Sequence, residues 1–253
     1  MKVLEAENIT KIYNSRAESS TKALNGISFS IEKGEFVGIM GPSGSGKTTL
    51  LNILSGISKP TSGSTIISGK DINSMDESSL ALFRRQKMGF VFQEFNLLDS
   101  LTIKENIMLP MILDGRSDKE MNEKADRIMS VFDIAHIKGK YPYEVSGGQQ
   151  QRGAVSRAVI NDPVIVFADE PTGNLDSKSS KAVMQIFTKM NKELESTMLM
   201  VTHDAFAASY CSRIIFIKDG EINMEIVSDG NRKKFFDKIL NCQAVIGGDD
   251  SDI

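Results

Sequence analysis

The segment at residues 41–49, Gly-Pro-Ser-Gly-Ser-Gly-Lys-Thr-Thr, carries the clearest chemical signal in this sequence. Its frame, Gly41-x-x-x-x-Gly46-Lys47-Thr48, is that of a loop that binds phosphate groups. The glycines allow backbone N–H groups to face phosphate oxygens, and the N-terminus of a following helix adds partial positive charge. We expect Lys47 to reach the β- and γ-phosphates of a nucleotide during catalysis, and Thr48 to bind Mg²⁺. The residues assigned to nucleotide contact here are Gly41, Pro42, Ser43, Gly44, Ser45, Gly46, Lys47, Thr48 and Thr49.

The sequence on either side of this loop predicts the elements that hold it in place. Residues 35–40 include a short apolar run typical of a buried strand, and residues 48–54 have the pattern of a helix. A flexible Gly/Ser turn is the alternative interpretation. The order strand, loop, helix favours phosphate binding over that alternative.

An acidic pair follows a second buried strand. Residues 164–168 are all apolar, as expected of a parallel strand covered on both faces, and Asp169 and Glu170 come directly after them. Carboxylates at this end of a parallel strand point into the ligand crevice of an α/β sheet. We expect Asp169 to hold Mg²⁺ and Glu170 to orient and polarise an attacking water. The alternative is a solvated turn or a helix cap.

A second candidate anion site lies at Ser146-Gly147-Gly148-Gln149, before a predicted helix at residues 151–160. A hydroxyl and bare backbone N–H groups at a helix N-terminus can bind phosphate. One chain does not need two cradles for the same phosphate. We therefore expect this segment to serve a nucleotide held by a second copy of the chain, with a simple glycine turn as the alternative.

Composition sets broad limits on the function. The chain has 253 residues and a net charge of −3, so bulk charge gives no indication of nucleic-acid binding. Cys211 and Cys242 form no CxxC pair, which fits a reducing compartment. We expect no signal peptide, and no membrane span because no apolar stretch approaches about 18 residues. Any membrane part would have to come from another chain.

The order of predicted elements indicates an α/β fold with a parallel sheet. Strands are expected within residues 1–40 and 62–75 and at 88–92, 164–168, 197–201 and 213–218. Between about 96 and 160 we find helices and loops and no strand pattern, which predicts a helical insert. A longer helix is expected at 178–195.

Taken in order, these motifs resemble those of the ATP-binding cassette (ABC) ATPases, over roughly residues 1–227. The resemblance implies a P-loop NTPase (RecA-like) core with an N-terminal antiparallel β subdomain and an inserted α-helical subdomain at about 96–160. Residues 228–253 are expected to form a C-terminal amphipathic helix and an acidic tail, with Phe235, Phe236, Ile239 and Leu240 on one apolar face. That face is expected to pack on the protein's own core, with permease or membrane contact as the alternative.

The resemblance also implies roles for single residues. Gln93 corresponds to a residue that binds Mg²⁺ and senses the membrane partner, and Asp176 to one that couples two nucleotide sites. His203 corresponds to a histidine that contacts the γ-phosphate. Tyr13 corresponds to the aromatic that stacks on adenine, although packing against the loop at 14–21 is an alternative. Asn174 departs from the family pattern, in which a small residue is frequent.

The family implies a head-to-tail homodimer that binds ATP and Mg²⁺ and hydrolyses the ATP. Two classes remain: an ATPase at the cytoplasmic face of a membrane that drives a separate permease, and an ABC protein acting on nucleic acid or ribosomes. One cassette and no heptad run favour the first, with no nucleic-acid partner. Permease contact is expected beside Gln93, at Phe95, Leu97 and Leu98.

Further segments indicate which group of ABC ATPases the chain resembles. Residues 95–110 resemble the group of macrolide-export, lipoprotein-release and cell-division ATPases. Residues 207–220 and 234–248 are more similar to the bacitracin-resistance (Bce-type) ATPases, which implies a large permease, a sensor histidine kinase acting through it, and resistance to peptides such as bacitracin or lantibiotics. No residue of such an ATPase encodes the peptide itself.

Overall fold

The structure, a computed structural model, describes residues 1–14 and 20–247. The chain divides into two compact units, Met1–Leu80 with Thr197–Ile253, and Ala81–Ser196. The second unit extends beyond the helical subdomain expected at about 96–160, because two parallel strands and the helices beside them belong to it. Among the described residues, no helix is long and apolar enough to cross a bilayer.

The first unit contains an antiparallel sheet of four strands in the order β2-β1-β4-β5. Their bounds are β1 Lys2–Asn14, β2 Ser20–Glu32, β4 Ser62–Ile67 and β5 Lys70–Asp71. Leu4 of β1 pairs with Ile31 of β2 and with Ile67 of β4, and all three side chains are fully buried. This sheet therefore buries one apolar face, as alternating strands do.

The same unit contains four further strands, of which the first two precede the phosphate loop and His203. Their bounds are β3 Phe36–Met40, β8 Met198–Val201, β9 Arg213–Lys218 and β10 Glu221–Val227. Every residue of β3 and of β8 is buried. Because β3 runs parallel to β8, in register Phe36↔Met198, the loops that follow these two strands leave from the same edge. The helices here are α1 Lys47–Leu54, α7 Ala205–Ala208 and α8 Arg232–Gly247.

The second unit pairs two short parallel strands and surrounds them with helices. Strand β6, Met88–Val91, lies beside β7, Ile165–Asp169, in register Val91↔Ala168. The segments that carry Gln93 and Glu170 therefore follow neighbouring strand ends. The helices are α3 Ile103–Leu113, α4 Asp118–Val131, α5 Gly147–Val159 and α6 Ser177–Glu193.

Two helices, α2 (Glu77–Lys87) and the short α7, have no counterpart in the sequence prediction. Helix α2 follows Asp76, whose carboxylate accepts hydrogen bonds from the backbone N and hydroxyl of Ser79 at 2.9 and 2.8 Å. No residue of α2, all of which the structure describes, is buried. A helix without a buried face leaves no apolar periodicity in the sequence, so only the capping pair could have indicated it.

Two other helices differ from the prediction in detail. Helix α5 begins at Gly147 rather than near residue 151, because Ser146 and Gln149 form a capping box that starts the helix despite two glycines. In α8 the predicted apolar face is partly wrong. Phe235, Ile239 and Ile246 are buried, whereas Leu240 is 44% exposed, since one residue turns an α-helix by about 100°.

Candidate active site

The phosphate loop has a backbone that only glycine can form at two positions. Gly46 has a φ of 98°, and a Cβ atom there would lie 2.5 Å from the Ala23 carbonyl oxygen. A Cβ atom at Gly41 would lie 2.0 Å from the Ile217 carbonyl oxygen. Gly46 is also the N-cap of α1 and has no side chain to cap it, so the first N–H groups of α1 point out of the helix end.

The polar groups of the loop form a donor set suited to phosphate. Lys47 Nζ donates to the carbonyl oxygens of Gly41 at 3.0 Å and Pro42 at 2.8 Å, which holds the ammonium across the loop. The Ser45 hydroxyl is buried, and no described residue forms a hydrogen bond with its Oγ. Helix N–H groups, an ammonium and an orphaned hydroxyl together fit a bound phosphate chain.

His203 lies in the turn after β8, in the same unit as the phosphate loop, and its side chain is exposed. The Thr202 N–H donates to the Ile39 carbonyl at 3.1 Å, which ties the start of this turn to β3. Thr202 Oγ1 accepts a hydrogen bond from Asp204 N at 3.0 Å. The backbone N–H groups of the residues before and after His203 are therefore both hydrogen-bonded, while the imidazole is exposed.

Tyr13 lies near the end of β1, paired with Thr21 of β2, and its side chain is 47% exposed. Lys11 Nζ lies 5.1 Å from the ring centroid, a cation–π contact. A half-exposed ring is compatible with adenine stacking. Most of the loop at 14–21, its alternative packing partner, lies outside the described residues.

Glu170 has an unusual backbone in the second unit. It follows β7 with a φ of 44°, a left-handed conformation that is rare for a residue with a side chain. The turn is held by a hydrogen bond from Gly173 N to the Glu170 carbonyl at 3.0 Å, and by one from Gln151 Nε2 to the Pro171 carbonyl at 2.6 Å. Such strained residues persist when the surroundings fix them, and they are frequent at active sites.

Gln93 is tied to Asn174 by two reciprocal hydrogen bonds. Gln93 Nε2 donates to Asn174 Oδ1, and Asn174 Nδ2 donates to the Gln93 carbonyl, both at 3.2 Å. Asn174 is the position that departs from the family pattern. A small residue could not make this pair of bonds, so the departure links the Gln93 segment to the turn after Glu170.

The Ser146–Gln149 segment presents an exposed serine at the N-terminus of α5. Gln149 N donates to Ser146 Oγ at 3.4 Å, and Gln149 Oε1 accepts from Ser146 N at 3.0 Å. A Cβ atom at Gly148 would lie 3.0 Å from Ser179 Oγ, so glycine allows α6 to approach closely. Ser146 is exposed at the N-terminus of α5, whereas Gly147 is half-buried and Gly148 is buried.

Asp176 has a structural role as the N-cap of α6. Its carboxylate accepts hydrogen bonds from Ser179 Oγ at 2.7 Å and from the backbone N atoms of Ser179 and Lys178 at 3.0 and 2.9 Å. These bonds, with the Ser179 hydroxyl first, lower the pKa of Asp176. The coupling role expected for Asp176 stays a prediction beside this observed one.

The three residues expected to bind magnesium are oxygen donors. Thr48 offers a hydroxyl, Gln93 an amide oxygen and Asp169 a carboxylate. Within residues 1–14 and 20–247, no group of three or more His, Cys, Asp or Glu side chains could hold a metal. Mg²⁺ commonly uses one or two protein ligands together with nucleotide phosphates and waters. Each of these three donors is of a type that Mg²⁺ takes beside nucleotide phosphates.

A groove in the second unit was not predicted from the sequence. It encloses about 640 Å³ between α2, β6, α3 and α5, and its lining includes Arg84, Phe90, Leu109, Leu113 and Arg157. Burial lowers the pKa of Arg84 and of Arg157. Within the described chain, no group hydrogen-bonds to the buried Arg84 Nε. The groove therefore combines apolar walls with a guanidinium that is only partly satisfied.

The predicted permease contacts do not line this groove. Leu98 is 47% exposed, while Phe95 and Leu97 are half-buried against α5. Cβ atoms built at Gly147 and Gly153 would lie 3.6 Å from the Phe95 ring and 3.7 Å from Leu97 Cδ1. Arg157 donates to the Phe95 carbonyl at 2.9 Å and joins this segment to the groove wall.

Comparison with known proteins places these features in a family. The family model described as "ABC transporter" matches residues 24–173. The chain is 53% identical over 250 residues to the uncharacterized ABC transporter ATP-binding protein YvcR of Bacillus subtilis, covering 98% of this chain and 96% of that one. It is 49% identical over 253 residues, all of both chains, to the bacitracin export ATP-binding protein BceA of Halalkalibacterium halodurans.

Two further comparisons cover slightly less of the chain. The lipoprotein-releasing system ATP-binding protein LolD of Aquifex aeolicus is 44% identical over 224 residues, 88% of this chain and 97% of that one. Among solved structures, the ATP-binding cassette MJ0796 of Methanocaldococcus jannaschii matches with a TM-score of 0.81 and 42% identity, over 90% of this chain and 99% of that one. That cassette was solved as a dimer in a post-hydrolysis state, bound to ADP and Pi.

Proposed function

Because this chain belongs to the ABC transporter family and is an ATP-hydrolysing subunit, we propose that two copies power a separate membrane permease that protects a cell from wall-targeting peptides. The observation that carries this proposal is the likeness to a bacitracin export ATP-binding protein over the full length of both chains. The peptides concerned are of the bacitracin or lantibiotic class. The chain acts at the cytoplasmic face of the membrane, where the permease holds it, and a sensor histidine kinase is reached through that permease.

ATP is the substrate, and residues of the first unit bind it. The N–H groups of the phosphate loop and the Lys47 ammonium hold the β- and γ-phosphates, while Tyr13 stacks on adenine. Thr48, Gln93 and Asp169 would hold Mg²⁺, and a bound Mg²⁺ would supply positive charge that offsets the charge of the phosphates. His203 contacts the γ-phosphate from its fixed turn.

Glu170 is the residue we assign to water activation. Its carboxylate accepts a hydrogen bond from the attacking water and orients it toward the γ-phosphate. The left-handed backbone at Glu170, fixed through Gly173 and Gln151, supports a precise placement of this carboxylate. Catalysis then consists of positioning and electrostatic stabilisation, as in other phosphoryl transfers.

The Ser146 segment completes the site of a second copy. The exposed Ser146 hydroxyl and the N-terminus of α5 bind the γ-phosphate of an ATP held by the partner's phosphate loop. ATP then closes the dimer and hydrolysis releases it, so the γ-phosphate biases a two-state switch. The dimeric ADP-bound relative supports this arrangement.

Drug sensitivity of cells tests the proposed function. Deleting the gene is expected to lower the inhibitory concentration of bacitracin several-fold, and the wild-type chain, but not the Glu170→Gln chain, is expected to restore it. An unchanged sensitivity together with retention of lipoproteins in the inner membrane would replace the proposal by lipoprotein release. The 44% identity to LolD is the observation that favours this second function.

We also propose that the groove between α2 and α3 receives a helix of the permease. A helix fits between apolar walls of this size, and the buried Arg84 Nε without a described partner favours an acidic side chain on that helix. Arg157 adds a second cation to the same wall. Charge complementarity of this kind determines orientation as well as affinity.

The variant Arg84→Glu is expected to abolish stimulation of ATP hydrolysis by the permease, while hydrolysis by the isolated chain stays at the wild-type rate. The reversed charge would repel the acidic side chain of the partner helix, with a cost of several kcal/mol. ATPase assays with and without the reconstituted permease measure the effect. Arg127→Glu makes the same charge change at an exposed position of α4 and should leave stimulation intact. Stimulation that survives in Arg84→Glu would contradict the docking proposal.

A further inference from the structure

The C-terminal helix α8 contacts the turn that carries His203. Gln243, near the end of α8, donates a hydrogen bond from Nε2 to the backbone carbonyl oxygen of His203 at 3.0 Å. The two residues lie 40 positions apart in sequence and belong to the same unit. A helix outside the nucleotide motifs therefore bonds directly to the residue that we assign to the γ-phosphate.

The neighbouring backbone shows why this bond matters. Thr202 N is bonded to the Ile39 carbonyl, and Asp204 N to Thr202 Oγ1. The Asp204 carboxylate caps α7 by accepting from Phe206 N at 2.8 Å and from Ala207 N at 3.4 Å. The peptide between His203 and Asp204 receives its additional support from Gln243. Rotation of that peptide changes the ψ angle of His203 and with it the direction of the exposed imidazole.

Helix α8 is anchored at its other end by a second contact. The Arg232 guanidinium lies 4.4 Å from the Tyr210 ring centroid and 5.6 Å from that of Phe206. These rings form an edge-to-face pair with centroids 5.4 Å apart on and beside α7. Phe235 and Ile239 are buried between the two anchors, and Ile246 is buried just beyond Gln243. The anchors are about 16 Å apart along the helix, so α8 spans α7 and reaches the His203 turn.

We propose that Gln243 is a positioning residue for His203, and that the docking of α8 sets the rate of ATP hydrolysis without affecting ATP binding. The proposal rests on the role given to His203 above. Gln243 lies outside the nucleotide motifs and acts through the backbone of His203. Because two polar contacts and one apolar face hold α8 in place, a partner that binds α8 would change the ATPase rate by shifting the His203 backbone.

The variant Gln243→Met tests this role, because methionine keeps the length of the side chain and removes the donor. We expect kcat for ATP hydrolysis to fall about 3- to 10-fold, the range of one neutral hydrogen bond, with the KM for ATP unchanged. Asn241→Met is the matched control, an exposed amide on the same helix, and should leave both constants unchanged. In a His203→Ala background, Gln243→Met should have no further effect.

Several outcomes would overturn the proposal. A wild-type kcat in Gln243→Met, while His203→Ala is slow, shows that His203 acts without help from α8. An equal fall in the His203→Ala background shows that the effect travels by another route. A wild-type rate in His203→Ala refutes instead the role of His203, which is a failure of the proposed function and not of α8 docking.

A second variant keeps the test decisive if Gln243→Met lowers the melting temperature. Arg232→Gln weakens the other anchor of α8 without altering the His203 turn. It is expected to lower kcat about 2- to 3-fold, again with an unchanged KM, as expected for loss of an exposed cation–π contact. Unchanged kcat in this folded variant, measured beside Lys233→Gln as the control, would contradict the proposal.

Discussion

Replacing Glu170 with glutamine is expected to slow ATP hydrolysis about 10²- to 10⁴-fold while ATP binding persists. Glutamine has the same shape but is not a base, so water in the site loses its proton acceptor. The left-handed backbone and the bonds that fix this turn involve main-chain atoms of Glu170 and Gly173, which the change leaves intact. ATP should therefore remain bound and hold two chains together.

Single-turnover hydrolysis and light scattering in the presence of ATP measure the two expected effects. The trapped dimer should be stable with ATP and absent with ADP. Glu123→Gln, at an exposed position of α4, is the matched control and should hydrolyse ATP at the wild-type rate. Near-normal hydrolysis by Glu170→Gln would assign water activation to another residue.

Replacing Lys47 with alanine is expected to weaken ATP binding roughly 10- to 150-fold. The ammonium lies across the phosphate loop, 3.0 Å from the Gly41 carbonyl and 2.8 Å from the Pro42 carbonyl. A charge-assisted hydrogen bond contributes about 1.5–3 kcal/mol, which corresponds to this range of affinity. Because the ammonium also stabilises charge in the transition state, hydrolysis should be lost as well as binding.

Titration with a fluorescent ATP analogue measures this loss of affinity. Lys59→Ala removes an exposed lysine of the same unit and should bind ATP as the wild type does. Circular dichroism spectra of both variants are the control for folding. Wild-type affinity in Lys47→Ala would show that the loop backbone alone holds the phosphates.

The parts of the fold that could be predicted from the sequence depend on neighbouring residues. The apolar run that became β3, the glycines of the phosphate loop and the helix after them are contiguous, so their pattern indicates one local structure. The same holds for β7, which ends at Asp169, and for Glu170 directly after it. The order of the motifs along the chain then indicated the family. The match of the ABC transporter family model to residues 24–173 supports that assignment.

The features that could not be predicted depend on contacts distant in sequence or on missing patterns. Helix α2 has no buried face, so it produced no apolar period. The bonds between Gln93 and Asn174, and between Gln243 and His203, join residues that only the fold brings together. The groove around Arg84 is likewise formed by elements far apart in the chain. The sequence prediction put Leu240 on the buried face of α8, but the turn from one helical residue to the next leaves it exposed beside the buried Ile239.

In the proposed dimer, each ATP lies between Lys47 of one chain and Ser146 of another. Mixing two inactive variants, Lys47→Ala and Ser146→Arg, tests it directly, because a mixed dimer contains one site with both lesions and one site with neither. We predict that each variant alone hydrolyses almost no ATP and that an equal mixture regains about a quarter of wild-type activity, since half of the dimers are mixed. Full activity of Ser146→Arg by itself, or no recovery in the mixture, would contradict the account.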